Sequence, residues 1–144
     1  MPKVLILIGS KSDSKFAEEC QTILNGLGID NTLEISSAHR QPDKTDELAK
    51  TAKEKGYEVV ICMAGMAAAL PGVVAARTKL PVIGVPIPAT LEGIDALLAI
   101  AQMPPGVPVA TMGIGKAGAK NAALEAARIL AIKYDDIAKK LNEA

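Results

Sequence analysis

Short apolar runs alternate with longer amphipathic segments along this chain. The first run, residues 4–8, is continuously apolar and ends in Gly9-Ser10, which is typical of a strand buried on both faces. Similar runs predict further strands at 32–35, 59–62, 82–85 and 107–111. Apolar residues at helical spacing between and after them predict helices at about 14–27, 42–55, 67–77, 94–101, 119–130 and 135–141.

This alternation of strands and helices predicts an α/β fold. Repeating units of this size give a parallel sheet with right-handed crossovers and helices on both of its faces, which is a three-layer α/β/α sandwich. At 144 residues the length predicts one domain, residues 1–144. A chain of this size buries about 70% of its extended surface, so it needs no disulfide or metal to fold.

Two features of the second half suggest close packing, either within the chain or between subunits. Small residues cluster there, as in Ala75-Ala76 and Ala122-Ala123. The last predicted helix carries Ile137 and Leu141 with little chain left to cover them. An uncovered apolar face favours a partner subunit, and we therefore expect an oligomer.

Composition narrows the classes of function. Sixteen basic and sixteen acidic residues cancel, so there is no overall drive toward nucleic acid or membrane surfaces. Aromatic residues are only 2% of the chain, which argues against modules that stack nucleic-acid bases on exposed rings. The two cysteines, Cys20 and Cys62, form no metal-binding spacing, so we expect no metal and a reducing, cytoplasmic location. The apolar runs are too short for a signal peptide or a membrane span.

The first candidate site is the turn Gly9-Ser10-Lys11-Ser12-Asp13, between a predicted buried strand and a helix start. Free backbone N–H groups and the positive end of a helix favour an anion such as phosphate. Serine hydroxyls can donate to it, and a carboxylate can accept from sugar hydroxyls. The alternative is plain helix capping by Ser12 or Asp13.

The second candidate surrounds the chain's single histidine, His39, in Ser37-Ala38-His39-Arg40 directly after a predicted strand. Histidine is the side chain best suited to gain and lose protons near neutral pH. Strand ends in open α/β sheets are where such folds build ligand sites, and Arg40 offers a forked cation for phosphate or carboxylate. The alternatives are a loop histidine without a chemical role and a surface arginine.

Two further segments could serve a ligand. Glycine and alanine dominate residues 64–72 after the third predicted strand, and such small residues let a ligand approach the backbone closely. The alternative is an ordinary strand-to-helix turn. The proline-containing segment 102–106 is stiff and could be a lid or a connector.

Several short motifs follow one another in a specific order. They are Gly9-Ser-Lys-Ser-Asp13, Ser37-Ala-His-Arg40 with Pro42-Asp43, Ala64-Gly65 followed by Leu70-Pro71-Gly72, Leu80-Pro-Val-Ile-Gly-Val-Pro86, Leu91-Glu-Gly-Ile-Asp95, Gln102-Met103-Pro104, Pro108-Val-Ala-Thr111 and Ala119-Lys-Asn-Ala122. Each is weak alone. In this order, over nearly the whole chain, they resemble the PurE family of N5-carboxyaminoimidazole ribonucleotide mutases of purine biosynthesis, in its bacterial mutase form.

The resemblance implies a flavodoxin-like fold, a homo-octamer with sites at subunit contacts, and a small ribonucleotide as substrate. It implies that the carboxylate of the substrate moves from N5 to C4 without cofactor or metal. The residue implied to be the general acid and base is His39. The residues expected to contact the substrate are Ser10, Asp13 and Arg40, together with Gly9, Ser12, Ser37, Ala64, Gly65 and Met103.

The chain departs from the family's pattern at two positions. Where the family reads Ala-Gly-Gly-Ala-Ala-His-Leu-Pro-Gly, this chain has Met66 in place of a glycine and Ala69 in place of a second histidine. The replaced histidine lines the family's active site, so a donor and acceptor is lost there. Two alternatives to the mutase function therefore stay open: a CO2-dependent carboxylase of the aminoimidazole ribonucleotide, and a ribonucleotide-binding homologue without catalysis.

Overall fold

The computed structural model describes residues 2–144, and within them the strands form one parallel sheet. Its members are β1 (Lys3–Ile8), β2 (Asp30–Ile35), β3 (Val59–Gly65), β4 (Val82–Ile87) and β5 (Ala110–Thr111). The order across the sheet is β2-β1-β3-β4-β5, with every neighbouring pair parallel. This is the strand order of flavodoxin-like folds. The predicted parallel α/β architecture is confirmed.

Helices cover both faces of the sheet, as a three-layer sandwich requires. They are α1 (Ser14–Gly26), α2 (Pro42–Thr51), α3 (Leu70–Ala75), α4 (Ile94–Ala101), α5 (Lys116–Ala131) and α6 (Asp135–Glu143). The first, fifth and sixth helices share one hydrophobic cluster with the sheet, and the other three share a second cluster on the opposite face. Strand β1 supplies both clusters, with Ile6 on the α5 side and Leu5 and Leu7 on the α2 side.

Helix α3 is shorter than the predicted helix at 67–77 because its alanine-rich start is not helical. Met66 has a left-handed backbone, with φ of 55°, and a non-glycine residue there turns the chain instead of entering a helix. The helix begins only at Leu70, with Pro71 in its first turn, where proline is well tolerated. Residues 67–69 therefore stay as a loop at the end of β3.

Other boundaries also differ from the predictions. Strand β5 pairs only over Ala110–Thr111 rather than over 107–111, because Pro108 has no N–H to give to the sheet. Helix α2 ends at Thr51, before the predicted residue 55, and α5 starts three residues before the predicted residue 119. These shifts leave the order of the elements unchanged.

The expectation that Ile137 needs a partner subunit is wrong. Ile137 of α6 is fully buried in the cluster formed by α1 and α5, and Leu141 packs against the same cluster. Ala122 and Ala123 are also fully buried there, so internal packing explains this pair, whereas Ala75 is only partly buried and Ala76 is exposed. Across residues 2–144, no helix combines the length and apolarity needed to cross a membrane.

Candidate active site

A cleft of about 420 Å³ opens at the carboxyl edge of the sheet. It lies where the chain turns from β1 outward to β2 and then returns to β3 on the other side, which is the switch point where open α/β sheets bind ligands. The loops that follow the first four strands form its wall. The lining residues are Gly9, Ser10, Ser12, Asp13, Ser37, Ala38, His39, Arg40, Ala64, Gly65, Met66, Ala67, Ala68, Ala69, Leu70 and Ala89.

The turn after β1 presents hydroxyls and amides to the cleft. Ser10 caps a short 3-10 helix, Lys11–Asp13, because its Oγ accepts from the Ser12 N–H at 3.3 Å. The Ser10 and Ser12 hydroxyls lie 2.9 Å apart, and both side chains are exposed to the cleft. A turn that leads into the 13-residue helix α1 with exposed hydroxyls suits an anionic group.

Asp13 differs from a capping residue. It occupies the position before α1, but its carboxylate makes no capping hydrogen bond. The expected capping of α1 by Ser12 or Asp13 is therefore wrong, and the side-chain cap in this turn is that of Ser10 on the preceding 3-10 helix. The side chain is only 8% exposed. Burial raises the pKa of the Asp13 carboxyl, and a contact with the Ser10 backbone partly offsets that rise. Because this buried carboxylate accepts no hydrogen bond from the N–H groups at the start of α1, it can accept hydrogen bonds from a ligand.

We expect Asp13→Asn to raise the thermal stability of the ligand-free protein at neutral pH. The raised pKa means that ionisation costs more in the folded than in the unfolded state. This cost destabilises the parent protein fully above the pKa of Asp13 in the folded state and not at all below the ordinary aspartate pKa of about 4. The extra stability of Asp13→Asn at pH 7 should therefore vanish as the pH falls to about 4. Melting temperatures of both proteins across this range measure it.

The same substitution should weaken ligand binding. A hydrogen bond to a charged acceptor contributes about 1.5–3 kcal/mol, so we expect binding of a ligand that donates to Asp13 to weaken roughly tenfold or more. Asp43→Asn, at an exposed position of α2, is the matched control. A variant that melts lower at pH 7, or that binds as tightly as the parent, would contradict this account of Asp13.

The turn after β2 carries His39 and Arg40 to the cleft. Two hydrogen bonds close this turn. The Gln41 N–H donates to the Ser37 carbonyl at 2.8 Å, and the Arg40 N–H donates to Ser37 Oγ at 3.1 Å. The imidazole and guanidinium groups are exposed. The structure therefore brings the single histidine, its neighbouring arginine and the serine turn after β1 into one cleft.

The third wall is made of small residues. Gly65 ends β3, and a Cβ there would lie 3.2 Å from the Ile87 carbonyl oxygen and 3.3 Å from the Ala89 Cβ. Such contacts are tight, so a side chain at this position would crowd the neighbouring loop. Met66 follows with its left-handed backbone and is 57% exposed at the cleft. Ala69 also lines the cleft.

The predicted site residues come together with one exception. Nine of the ten line the cleft, whereas Met103 does not. Its sulfur lies 3.1 Å from the place that a Cβ on Gly72 of α3 would occupy. The other residues of the segment 102–106 are exposed, and none of them lines the cleft.

Ala89 is a lining residue that the sequence analysis missed. Its only sequence signal is its place in the loop after the fourth predicted strand, 82–85, at the same edge as the other three loops. Within residues 2–144 there is no cluster of three or more His, Cys, Asp or Glu side chains that could hold a metal ion.

A flavodoxin-like sheet with a cleft at its switch point, the place where open α/β folds bind ligands, defines the class of this protein. Residues 3–144 match the family model described as AIR carboxylase, and the chain belongs to that family. The motif order had pointed to the same family.

Named relatives share this fold and much of this sequence. The chain is 54% identical over 144 residues to the N5-carboxyaminoimidazole ribonucleotide mutase of Saccharolobus solfataricus, which covers 99% of this chain and 90% of that protein. It is 50% identical over 145 residues to the Escherichia coli K12 mutase, covering 98% and 84%. The crystal structure of Treponema denticola PurE superposes with a TM-score of 0.88 at 31% identity, covering 99% and 89%.

Proposed function

We propose that this protein is an N5-carboxyaminoimidazole ribonucleotide mutase of purine biosynthesis. It transfers a carboxylate from the exocyclic N5 to ring carbon C4 and so forms 4-carboxy-5-aminoimidazole ribonucleotide. The observation that carries the proposal is the meeting of His39, Arg40 and the serine turn after β1 in one cleft. The mutase names of relatives at 50–54% identity over nearly the whole chain support it.

The cleft supplies complementary groups for a ribonucleotide. Arg40 and the hydroxyls of Ser10 and Ser12 bind the phosphate, since a forked cation and free donors at a helix start both favour that group. Asp13 accepts hydrogen bonds from the ribose. The remaining contacts along the base and ribose come from Gly9, Ser37, Ala64 and Gly65. Met103, which lies beside Gly72 of α3, is not among these contacts.

His39 handles the proton in both halves of the reaction. As imidazolium it protonates N5 while the bond between N5 and the carboxylate carbon breaks, which releases CO2 and neutral aminoimidazole. Ring carbon C4 then attacks CO2 and forms the new carbon–carbon bond. Neutral His39 removes the hydrogen from C4 as a proton, which restores the aromatic ring and returns the imidazolium. One group that exchanges protons near neutral pH can serve both steps.

The alanine wall keeps CO2 next to the ring. The loop 67–69 and Gly65 offer small apolar surfaces, and an apolar wall excludes the water that would hydrate CO2. Holding both fragments in one cavity makes their recombination effectively intramolecular. Ala69 enlarges this apolar surface where the family's pattern has an imidazole.

The experiment that tests the proposal supplies two substrates separately. The purified protein should convert N5-carboxyaminoimidazole ribonucleotide to the C4-carboxylated product without added bicarbonate. Turnover of the aminoimidazole ribonucleotide only when bicarbonate is supplied would favour the CO2-dependent carboxylase, the activity for which the family is described. Binding of both ribonucleotides without any product would favour the non-catalytic homologue that Ala69 suggests.

The active form is proposed to be a homo-octamer in the cytoplasm, built from one catalytic domain, residues 1–144. An exposed apolar stripe supports assembly: Leu91, Ile94 and Leu98 are 73%, 52% and 54% exposed along α4 and the turn before it. Such a stripe is typical of a subunit contact. The free, buried cysteines Cys20 and Cys62 suit a reducing compartment. Light-scattering mass in solution measures the number of subunits.

A further inference from the structure

Two buried hydroxyls lie beneath the turn that carries His39. Ser36, the last residue before that turn, and Thr45, in the first half of α2, are both fully buried, and their oxygens lie 2.6 Å apart. With Asp13 they are the buried polar side chains among residues 2–144. Buried hydroxyls are costly unless bonded, and here each satisfies the other.

These hydroxyls belong to a continuous chain of hydrogen bonds. Thr45 Oγ1 also lies 3.1 Å from the Gln41 carbonyl and can donate to it. Ser36 then donates to Thr45, so both hydroxyl protons are used. Gln41 in turn donates its N–H to the Ser37 carbonyl at 2.8 Å. Its side-chain oxygen also accepts from the Ser37 N–H at 3.4 Å. This series of hydrogen bonds joins the end of β2 to the start of α2 across the base of the turn.

We propose that the Ser36–Thr45 hydroxyl pair is a positioning device that fixes the His39 turn for proton transfer. It rests on the proposed function, since it concerns the proton that His39 moves. The imidazole is exposed, so the backbone of the turn sets its place in the cleft. Residues Ser37–Gln41 are anchored at one end by β1, where the Ser36 N–H donates to the Ile8 carbonyl at 2.9 Å. The hydroxyl pair anchors the other end.

Loosening the turn should affect the two functional side chains differently. Proton transfer needs the donor within hydrogen-bond reach of the reacting atom, and a displacement of about 1 Å can cost about 100-fold in rate. The attraction between Arg40 and a phosphate falls off gently with distance and tolerates such a displacement. The hydroxyl pair should therefore control kcat more than KM.

The test is the double variant Ser36→Ala/Thr45→Val, which replaces both partners by apolar groups of similar shape. Such a replacement is nearly neutral for stability because no buried polar side chain is left unpaired. We expect kcat to fall about tenfold and KM to change less than about threefold. Thr45→Ser keeps a hydroxyl and should retain the parent kcat within about twofold. Thr51→Val removes an equivalent bond to the Glu47 carbonyl at the far end of α2 and is the matched control.

A spectroscopic measurement tests the device independently of activity. Because the chain has one histidine, carbon-13 labelling of histidine gives an unambiguous ring signal. Its order parameter should fall in the double variant and be restored in Thr45→Ser. A double variant with parent kcat, or with lower kcat and unchanged ring order, would overturn the proposal. Absence of mutase activity in the parent protein would reject the proposed function and leave the ring measurement decisive.

A single substitution provides a second route if the double variant does not fold. Ser36→Ala leaves Thr45 bonded to the Gln41 carbonyl and removes only the link to β2. The ring order should then fall by a smaller amount than in the double variant. Unchanged ring order in folded Ser36→Ala would overturn the proposed link.

Discussion

Replacing His39 with asparagine is expected to lower kcat by at least roughly 1,000-fold, because general acid–base catalysis contributes about 10²–10⁴-fold for each proton transfer and two such transfers are proposed for this imidazole. The chain has no second histidine that could take over. In the proposed function the product binds through Arg40, Ser10 and Asp13 and does not depend on the imidazole. Its affinity, measured by titration calorimetry, should therefore stay within about threefold of the parent value.

A contrasting variant separates catalysis from binding. Arg40→Ala should weaken product binding by roughly tenfold to 100-fold, since a charge-assisted hydrogen bond contributes about 1.5–3 kcal/mol. Arg128→Ala, on α5 and outside the cleft, is the control.

Because the His39 side chain is exposed, added imidazole should partly restore the turnover of a His39→Ala variant. Parent-level turnover in His39→Asn would reject the proton-transfer role.

Much of the fold could be predicted because its signals are local. Fully apolar strands such as β1, with glycine or proline at their ends, predict a parallel sheet. The rule that strand–helix–strand crossovers are right-handed then limits the possible topologies. The predictions were wrong where burial or strand pairing depends on residues that the local pattern does not include. Ile137 looked uncovered because the cluster that buries it includes residues of β1 and α1, more than a hundred residues earlier, as well as residues of the adjacent α5. Pairing of β5 was overestimated because the position of Pro108 mattered more than its apolar neighbours.

The candidate site was predictable in outline for a related reason. Residues after parallel strands meet at one edge, so His39 and the turn at Gly9 could be expected to lie close together. Burial of Asp13 could not be expected, since capping and ligand binding give the same sequence pattern. The Ser36–Thr45 pair was also hidden, because two hydroxyls nine residues apart show no sign in the sequence of facing each other.

Gly118→Ala is expected to destabilise the protein by at least about 3 kcal/mol, one of the largest effects a single methyl group can have. A Cβ on Gly118 would lie 1.6 Å from the Gly113 carbonyl oxygen and 2.6 Å from its carbon. Those are backbone atoms, which cannot rotate away as a side chain can. The loop at Gly113 or the whole of α5 must shift instead.

Either shift disturbs the core. The loop is tied to β4, where the Gly115 N–H donates to the Pro86 carbonyl at 2.9 Å. Helix α5 carries a fully buried row against the sheet and α1, namely Ala119, Ala122, Ala123, Ala126 and Ala127. The close approach also explains why a glycine stands at position 118, inside α5, which starts before the predicted residue 119. A glycine that usually lies outside a helix is inside it here, because the loop leaves no room for a side chain.

The control is the same substitution at the end of α1. Gly26 has ordinary helical geometry, and nothing lies within 4 Å of the place its Cβ would take. Gly26→Ala should therefore stabilise by about 0.5–1 kcal/mol, because it lowers the entropy of the unfolded chain. Melting curves should place the two variants on opposite sides of the parent, with Gly118→Ala lower by roughly 10 °C. If Gly118→Ala melts at or above the parent, the close contact between Gly113 and α5 does not exist in solution.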